Sequence, residues 1–145
     1  MTPDDDTRTP AETPLRYLTL AEIVGYHQRL MRLYGQQSVL MDEGKLEAAV
    51  MRPQQAAYYE EAPLVRQAAL LLGGIAQAHA FTDGNKRLAL VACAAFLRLN
   101  GMGVVAEREE FAAAIIDFVL RHEGDSQGAL VVLSSWLQRR TRPLG

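Results

Sequence analysis

Apolar residues recur at intervals of three and four along most of the chain, the spacing of one face of an α-helix. Thr19, with Glu22 three residues on, has the spacing of a capping box. The apolar pattern that follows, from Leu20 to Tyr34, predicts a first helix, which Gly35 closes. Four later helices are predicted over Leu64–Ala78, over Asn85–Leu99, over Arg108–His122 and from Ser126 to about Arg139.

Between the first of these helices and Leu64, the pattern is less regular. Asp42 can cap a second, shorter helix that stops before Pro53. The stretch Met51–Ala62 contains a proline, two tyrosines and two glutamates, and we predict a lid or a short β-hairpin flap there. For Tyr58 and Tyr59, peptide binding in this flap and simple packing are equally favoured.

The helix predicted over Asn85–Leu99 is apolar almost all round, so we expect it to be the central buried helix. No strand pattern of comparable strength exists, and the fold class predicted is all-α, a compact bundle of about six helices. Residues 1–15 hold three of the six prolines and four acids, and predict a disordered acidic leader. The predicted domain then covers residues 16–140, with a flexible C-terminus at 141–145.

The composition argues against several classes of protein, among them nucleic-acid-binding, disulfide-stabilised and membrane proteins. A chain of 145 residues with 49% hydrophobic residues is enough for one domain with a real core. The net charge of -2 disfavours direct binding of long nucleic acids, because such proteins carry a marked excess of positive charge. A single cysteine, Cys93, excludes an internal disulfide and a cysteine zinc cluster. No apolar run reaches the roughly 18 residues of a membrane span, and no signal peptide is recognisable, so we expect a cytoplasmic protein.

The segment His79–Arg87 (HAFTDGNKR) brings several chemical groups together between two predicted helices. His79 can take up a proton near neutral pH, and Asp83 is the kind of oxygen ligand that Mg²⁺ uses when it also binds phosphates. Taken singly, each residue is common in turns and at helix ends. Their order and spacing together favour a site.

The same segment predicts an anion site at a helix N-terminus. Gly84 allows close approach of a ligand to the backbone, and Asn85–Arg87 form the first turn of the next helix. Lys86 and Arg87 add two cations at an end where the helix dipole already favours anions. Because cations at a helix N-terminus are unfavourable, we expect a bound anion to compensate them, and a nucleoside triphosphate with its metal ion would be such an anion.

The segment resembles the Fic motif, histidine-x-phenylalanine-x-acid-glycine-asparagine-x-arginine, and most closely its Doc (death-on-curing) branch. The resemblance extends to Leu18–Ile23 near the start, to Gly73–Ala76 before the histidine and to Phe96–Gly101 after the motif. It covers roughly residues 16–137. It implies the Fic/Doc fold, with a flap that holds the target peptide where Met51–Ala62 lies.

The resemblance implies roles for the motif residues. His79 matches the residue that accepts the proton of a target hydroxyl, Asp83 matches the Mg²⁺ ligand, and Phe81 matches the apolar anchor of the loop. The implied cofactors are ATP and Mg²⁺. The residues that it assigns to nucleotide and phosphate binding are Gly84, Asn85, Lys86 and Arg87.

Two departures from the wider family indicate which group is transferred. Adenylyl-transferring Fic enzymes have glycine where this chain has Lys86, and a second arginine where it has Leu90. Lys86 resembles Doc, which transfers the γ-phosphoryl group of ATP to a threonine of elongation factor Tu and blocks translation. At Gly84 the chain keeps the general Fic form, where Doc has alanine. A protein adenylyltransferase and, in another class, a catalytically idle protein-binding module are the alternatives.

Regulation is predicted to come from a partner. No Ser or Thr of the chain is followed four residues later by Glu, so the inhibitory Ser/Thr-x-x-x-Glu motif of many Fic proteins is missing. In Doc that restraint comes from the antitoxin Phd, whose C-terminal segment folds on binding. The resemblance therefore implies a toxin with an elongation factor Tu-like substrate and a cognate Phd-like antitoxin. No membrane and no direct nucleic-acid contact are expected.

Overall fold

The computed structural model describes residues 14–145, so the leader predicted over residues 1–15 falls, except for its last two residues, outside the described part. The described chain is 70% helical, and the all-α class with six helices is confirmed. The helices are α1 (Leu20–Leu33), α2 (Glu43–Glu60), α3 (Leu64–Ala78), α4 (Asn85–Leu99), α5 (Arg108–His122) and α6 (Ser126–Arg140). Two short strands, β1 (Met102–Val104) and β2 (Thr141–Pro143), complete the fold.

The N-terminus of α1 is the capping box that the sequence predicts. The Oγ1 of Thr19 accepts from the N–H of Glu22 at 3.1 Å, and Oε1 of Glu22 accepts from the N–H of Thr19 at 2.9 Å. The apolar stripe of α1 buries Ile23, His27 and Met31. This stripe therefore includes one histidine that is completely buried.

α4 is buried as predicted, but it shares the centre of the bundle with α3. Ten of the fifteen residues of α3 are buried, against six of the fifteen in α4. The two helices pack against each other and follow one another in the chain, and the candidate motif forms the connection between them. The motif is thus attached to the two best-buried helices of the fold.

The flap predicted over Met51–Ala62 is wrong, because α2 continues through Pro53 to Glu60. Proline inside a helix removes one hydrogen bond and costs about 3 kcal/mol. Here Pro53 is buried, as are Val50 and Ala56 on the same face of α2, so tertiary burial offsets the local cost. The C-cap of α2 is Glu61, which adopts a left-handed conformation with φ 52°.

The short hairpin of this fold lies elsewhere. β1 and β2 are antiparallel, with Met102 opposite Pro143 and Val104 opposite Thr141. Residues 141–143 therefore form a strand, within the segment for which the sequence predicts a flexible C-terminus. Periodicity could not reveal these strands, since each has three residues and its partner is almost forty positions away.

Within residues 14–145, no helix is both long and apolar enough to span a membrane.

Candidate active site

The motif segment connects the C-terminus of α3 to the N-terminus of α4. His79 follows α3 as its C-cap, in a left-handed conformation with φ 48° and ψ 41°. The residue is exposed, whereas Ala80 and Phe81 next to it are buried. The chain therefore turns sharply at His79, which leaves the imidazole at the surface and directs the next two residues into the core.

Phe81 anchors the loop, as predicted. Its ring is 3% exposed and stacks on the imidazole of His27, with 3.6 Å between the ring centroids. His27 comes from α1, so the loop is fastened to a helix more than fifty residues earlier in the chain. Sequence reasoning misses this contact, because there His27 is only one position in the apolar pattern of the first helix.

The side chain of Asn85 closes the loop on itself. Its Oδ1 accepts from the N–H of Phe81 at 3.1 Å, and its Nδ2 donates to the carbonyl of Phe81 at 2.9 Å. The amide group is thus bonded to the backbone through both its oxygen and its nitrogen, which leaves the second Nδ2 hydrogen and the main-chain N–H of Asn85 for a ligand. The structure places Asn85 in the predicted turn, with a structural contact for its side chain.

Gly84 lies where glycine is needed for two reasons. Its φ of 80° is in the left-handed region, which residues with a Cβ rarely adopt. A Cβ here would also overlap Cε of Met31 and would lie 3.2 Å from Nε2 of His27. The start of α4 therefore sits directly against the buried face of α1.

Asp83 is held through its backbone and is exposed at its side chain. Its carbonyl oxygen is 2.7 Å from Nε2 of His27, and its Oδ1 accepts from the N–H of Gly84 at 2.7 Å. The other carboxylate oxygen has no hydrogen bond to residues 14–145. That oxygen is available to a ligand.

The first turn of α4 carries two cations and no acid. Lys86 and Arg87 are exposed, and neither forms an ion pair with residues 14–145. The first backbone hydrogen bond of α4 runs from the N–H of Leu88 to the carbonyl oxygen of Gly84, the N-cap, at 2.9 Å. The N–H groups of the three preceding residues point out of the helix start, where an anion is favoured. The guanidinium of Arg87 also lies 4.2 Å from the ring centre of Tyr34.

An extended segment, residues 36–41, runs beside the motif. The N–H of Met41 donates to the carbonyl of Ala80 at 2.7 Å, and the N–H of Thr82 donates to the carbonyl of Val39 at 3.1 Å. Leu40 and Phe81 form an isolated antiparallel bridge. The extended backbone next to the candidate site is therefore this α1–α2 connection and not residues 51–62. The sequence could not show this, because the pairing of residues 39–41 with residues 80–82 arises only when the chain folds.

A cleft of about 540 Å³ lies between α2, α3, α5 and α6 and reaches Ala78, the residue before His79. Lys45 and Arg52 line its wall on α2, and no acidic side chain from residues 14–145 lines it. On the other side, Nε2 of Gln77 is 2.7 Å from Nδ1 of His122, while the buried Oε1 of Gln77 has no partner within residues 14–145. The cleft places a basic wall and an unused acceptor beside the motif.

The residues present fit Mg²⁺ bound together with phosphates. No group of three or more His, Cys, Asp or Glu side chains that could hold a metal exists in the described part of the chain. Mg²⁺ is commonly held by one or two carboxylates, with phosphate oxygens and waters as its other ligands. Asp83, directly before a helix N-terminus that favours anions, provides such a single carboxylate.

The sequence model of the Fic/DOC family matches residues 17–97. The Toxin Doc of Mycolicibacterium smegmatis is 42% identical over 76 residues, which are 51% of this chain and 58% of that protein. The Protein kinase doc of Escherichia phage P1 is 35% identical over 91 residues, 62% of this chain and 72% of that protein. This chain thus covers less than two thirds of the mycobacterial toxin and more than two thirds of the phage protein.

Proposed function

The chain belongs to the Fic/DOC family, close to the Doc toxins, and on that premise we propose that it transfers the γ-phosphoryl group of ATP to a Ser or Thr hydroxyl of a target protein. One observation carries the proposal: an exposed histidine and an uncapped, dicationic helix N-terminus lie at the two ends of one short loop. The similarity to a relative named Protein kinase doc favours a phosphoryl group as the one transferred. Lys86 and Leu90 disfavour adenylyl transfer.

His79 is the general base of this reaction. Its imidazole accepts the proton of the target hydroxyl while that oxygen forms a bond to the γ-phosphorus. The bond from the γ-phosphorus to the β–γ bridging oxygen breaks, and ADP leaves. The left-handed backbone of His79 presents the ring to solvent, where a protein hydroxyl can reach it. General-base catalysis of this kind contributes about 10²–10⁴ in rate.

The turn after Asp83 binds the phosphates. Phosphoryl transfer depends mainly on positioning and on neutralisation of charge, so donors aimed at the phosphate oxygens provide most of the catalysis. Lys86, Arg87 and the free N–H groups of the first turn of α4 supply these donors. Asp83 would hold Mg²⁺, which neutralises phosphate charge when bound. The side chain of Asn85 keeps this turn in shape.

We further propose that the chain is the toxin of a toxin–antitoxin pair that acts in the cytoplasm. Elongation factor Tu is the proposed substrate, and a Phd-like antitoxin is the proposed partner. Expression of the chain alone should then arrest growth, and coexpression of the antitoxin or loss of His79 should relieve the arrest. Unimpaired growth with His79 intact would argue against a toxin.

The decisive experiment is a transfer assay with ATP labelled at either the α or the γ phosphate, with elongation factor Tu and with a whole lysate as targets. We expect label on protein from the γ position only. His79→Asn should lower the rate by about 10²–10⁴; asparagine is chosen because it tolerates a left-handed backbone better than alanine. An unchanged melting temperature confirms that the variant is folded. Transfer from the α position would indicate adenylylation, and no loss in His79→Asn would refute the mechanism.

A further inference from the structure

We propose that His27 is a positioning residue for the metal and phosphate turn, through its hydrogen bond to the backbone of Asp83. The inference rests on the proposed function, since it assigns a role in that reaction to a residue outside the motif. His27 is 0% exposed and lies in the middle of α1. It therefore touches neither substrate nor solvent, and any effect on the reaction passes through the loop.

The imidazole connects three segments of the chain. Nε2 is 2.7 Å from the carbonyl oxygen of Asp83, and Nδ1 is 2.6 Å from Oγ of Ser38 in the extended segment 36–41. One face of the ring stacks on Phe81 at 3.6 Å. A single side chain of α1 thus contacts the loop that carries the metal ligand and the strand-like segment that runs beside it.

The partners decide where the ring hydrogen lies. The carbonyl oxygen of Asp83 can only accept, so Nε2 donates to it. In the neutral ring Nδ1 is then the acceptor, and the hydroxyl of Ser38 donates to it. Both ring nitrogens are satisfied in this one orientation. Because the ring is completely buried, it cannot rotate without leaving its own nitrogens unpaired, which costs about 1–3 kcal/mol for each group.

This orientation bears directly on the ligand-binding atoms. With its carbonyl tied to α1, Asp83 can move its carboxylate only by side-chain rotation, which the bond from Gly84 N–H further restricts. Gly84, the N-cap of α4, lies against the same ring, since a Cβ there would be 3.2 Å from Nε2. The ring therefore supports both the carboxylate and the start of the anion-binding turn. Groups that orient a metal ligand in this way typically change metal affinity by 10–100-fold when removed.

A buried histidine can also serve stability alone, so the test compares variants that lose similar packing but different hydrogen bonds. His27→Gln places an amide near the position of Nε2 and can still donate to Asp83. His27→Asn places its amide near Nδ1 and cannot. Ser38→Ala removes the hydrogen bond on the other side of the same ring and leaves the bond to Asp83. All three variants are measured as the full chain.

The readouts are the affinity for Mn²⁺ in the presence of a non-hydrolysable ATP analogue, the KM and kcat of transfer, and the melting temperature. We expect His27→Asn to weaken Mn²⁺ binding by about 10-fold or more. We expect His27→Gln and Ser38→Ala to change it by less than about 3-fold, although His27→Gln lowers the melting temperature as much as His27→Asn does. If His27 served stability alone, the loss of Mn²⁺ affinity in each variant would follow the fall in its melting temperature.

Three outcomes would overturn the assignment. Equal Mn²⁺ affinity in His27→Asn and the wild-type chain would show that the bond to Asp83 does not position the ligand. An equal loss in Ser38→Ala and His27→Asn would assign the effect to the ring as a whole. If the wild-type chain does not bind Mn²⁺ with the nucleotide, both this inference and the proposed function fail. If binding follows the expected order but no phosphoryl group is transferred, the positioning role stands and only the proposed reaction fails.

Discussion

Replacing Gly84 by alanine is expected to destabilise the fold at the point where the candidate site is built. The φ of 80° costs an alanine about 1–2 kcal/mol. The added methyl would overlap Cε of Met31; this is the end of a flexible side chain, but Met31 is buried and has little room to shift, so such overpacking costs about 1–3 kcal/mol. The combined loss of unfolding free energy is about 2–5 kcal/mol, and the expected fall in melting temperature is about 6–20 °C.

Gly101→Ala is the matched control, because Gly101 has nearly the same backbone, with φ 83°, and a Cβ there would have no heavy atom within 4 Å. It should show only the backbone cost, about 1–2 kcal/mol. Urea denaturation gives the loss of unfolding free energy in each variant, and the difference between the two losses is the steric part of the cost at Gly84.

The steric part can be isolated a second time with Met31→Ala. In that background Gly84→Ala should lose the backbone cost and the cost of the 3.2 Å contact with Nε2 of His27, but not the overlap with Met31, so the double-mutant cycle should show a coupling of about 1–3 kcal/mol between the two positions. Equal losses in Gly84→Ala and Gly101→Ala, together with zero coupling to Met31, would refute the claim that α4 begins in close contact with α1. A loss in neither variant would refute the backbone argument too.

Two further predictions concern titratable groups. Burial raises the pKa of the Cys93 thiol to about 12, so iodoacetamide at pH 8 should modify it only when urea unfolds the chain; mass spectrometry that finds rapid modification without urea would contradict its burial. At Glu110, a backbone N–H at the N-cap of α5 and the guanidinium of Arg140 lower the carboxyl pKa in the folded state. The stabilisation is present above the unfolded-state pKa and is lost as the pH falls through the lowered folded-state value, so Glu110→Gln should be less stable than wild type at neutral pH and equal to it in strong acid. Urea denaturation across that pH range measures this, and a constant difference would contradict it.

Much of the fold follows from local pattern. α1 begins with a capping box because Thr19 and Glu22 have the spacing for it, and the helices over Leu64–Ala78 and Asn85–Leu99 have the predicted bounds. These features depend on residues a few positions apart, which the sequence displays directly. The motif belongs to the same class, since its nine residues form one loop and the first turn of the helix that follows it.

Features that join distant segments were not predictable in this way. α2 passes through Pro53 because burial against the bundle offsets the cost of a proline inside a helix. A prediction from neighbouring residues includes that cost but not the burial. β1 and β2 find each other across almost forty residues. The extended segment beside the motif is residues 36–41 and not 51–62, because main-chain bonds to Ala80 and Thr82 select it.

The sequence by itself determined that this is a helical bundle of the Fic/DOC family, with His79 and Asp83–Arg87 as its candidate chemistry. Only the tertiary structure decided how that chemistry is held. It assigned the side chain of Asn85 to the backbone of Phe81, and it turned His27 from one position of an apolar stripe into the contact behind Asp83. The physical reason is that a side chain's hydrogen-bond partners depend on which distant segments pack together, and the periodicity that predicts helices carries no information about that packing.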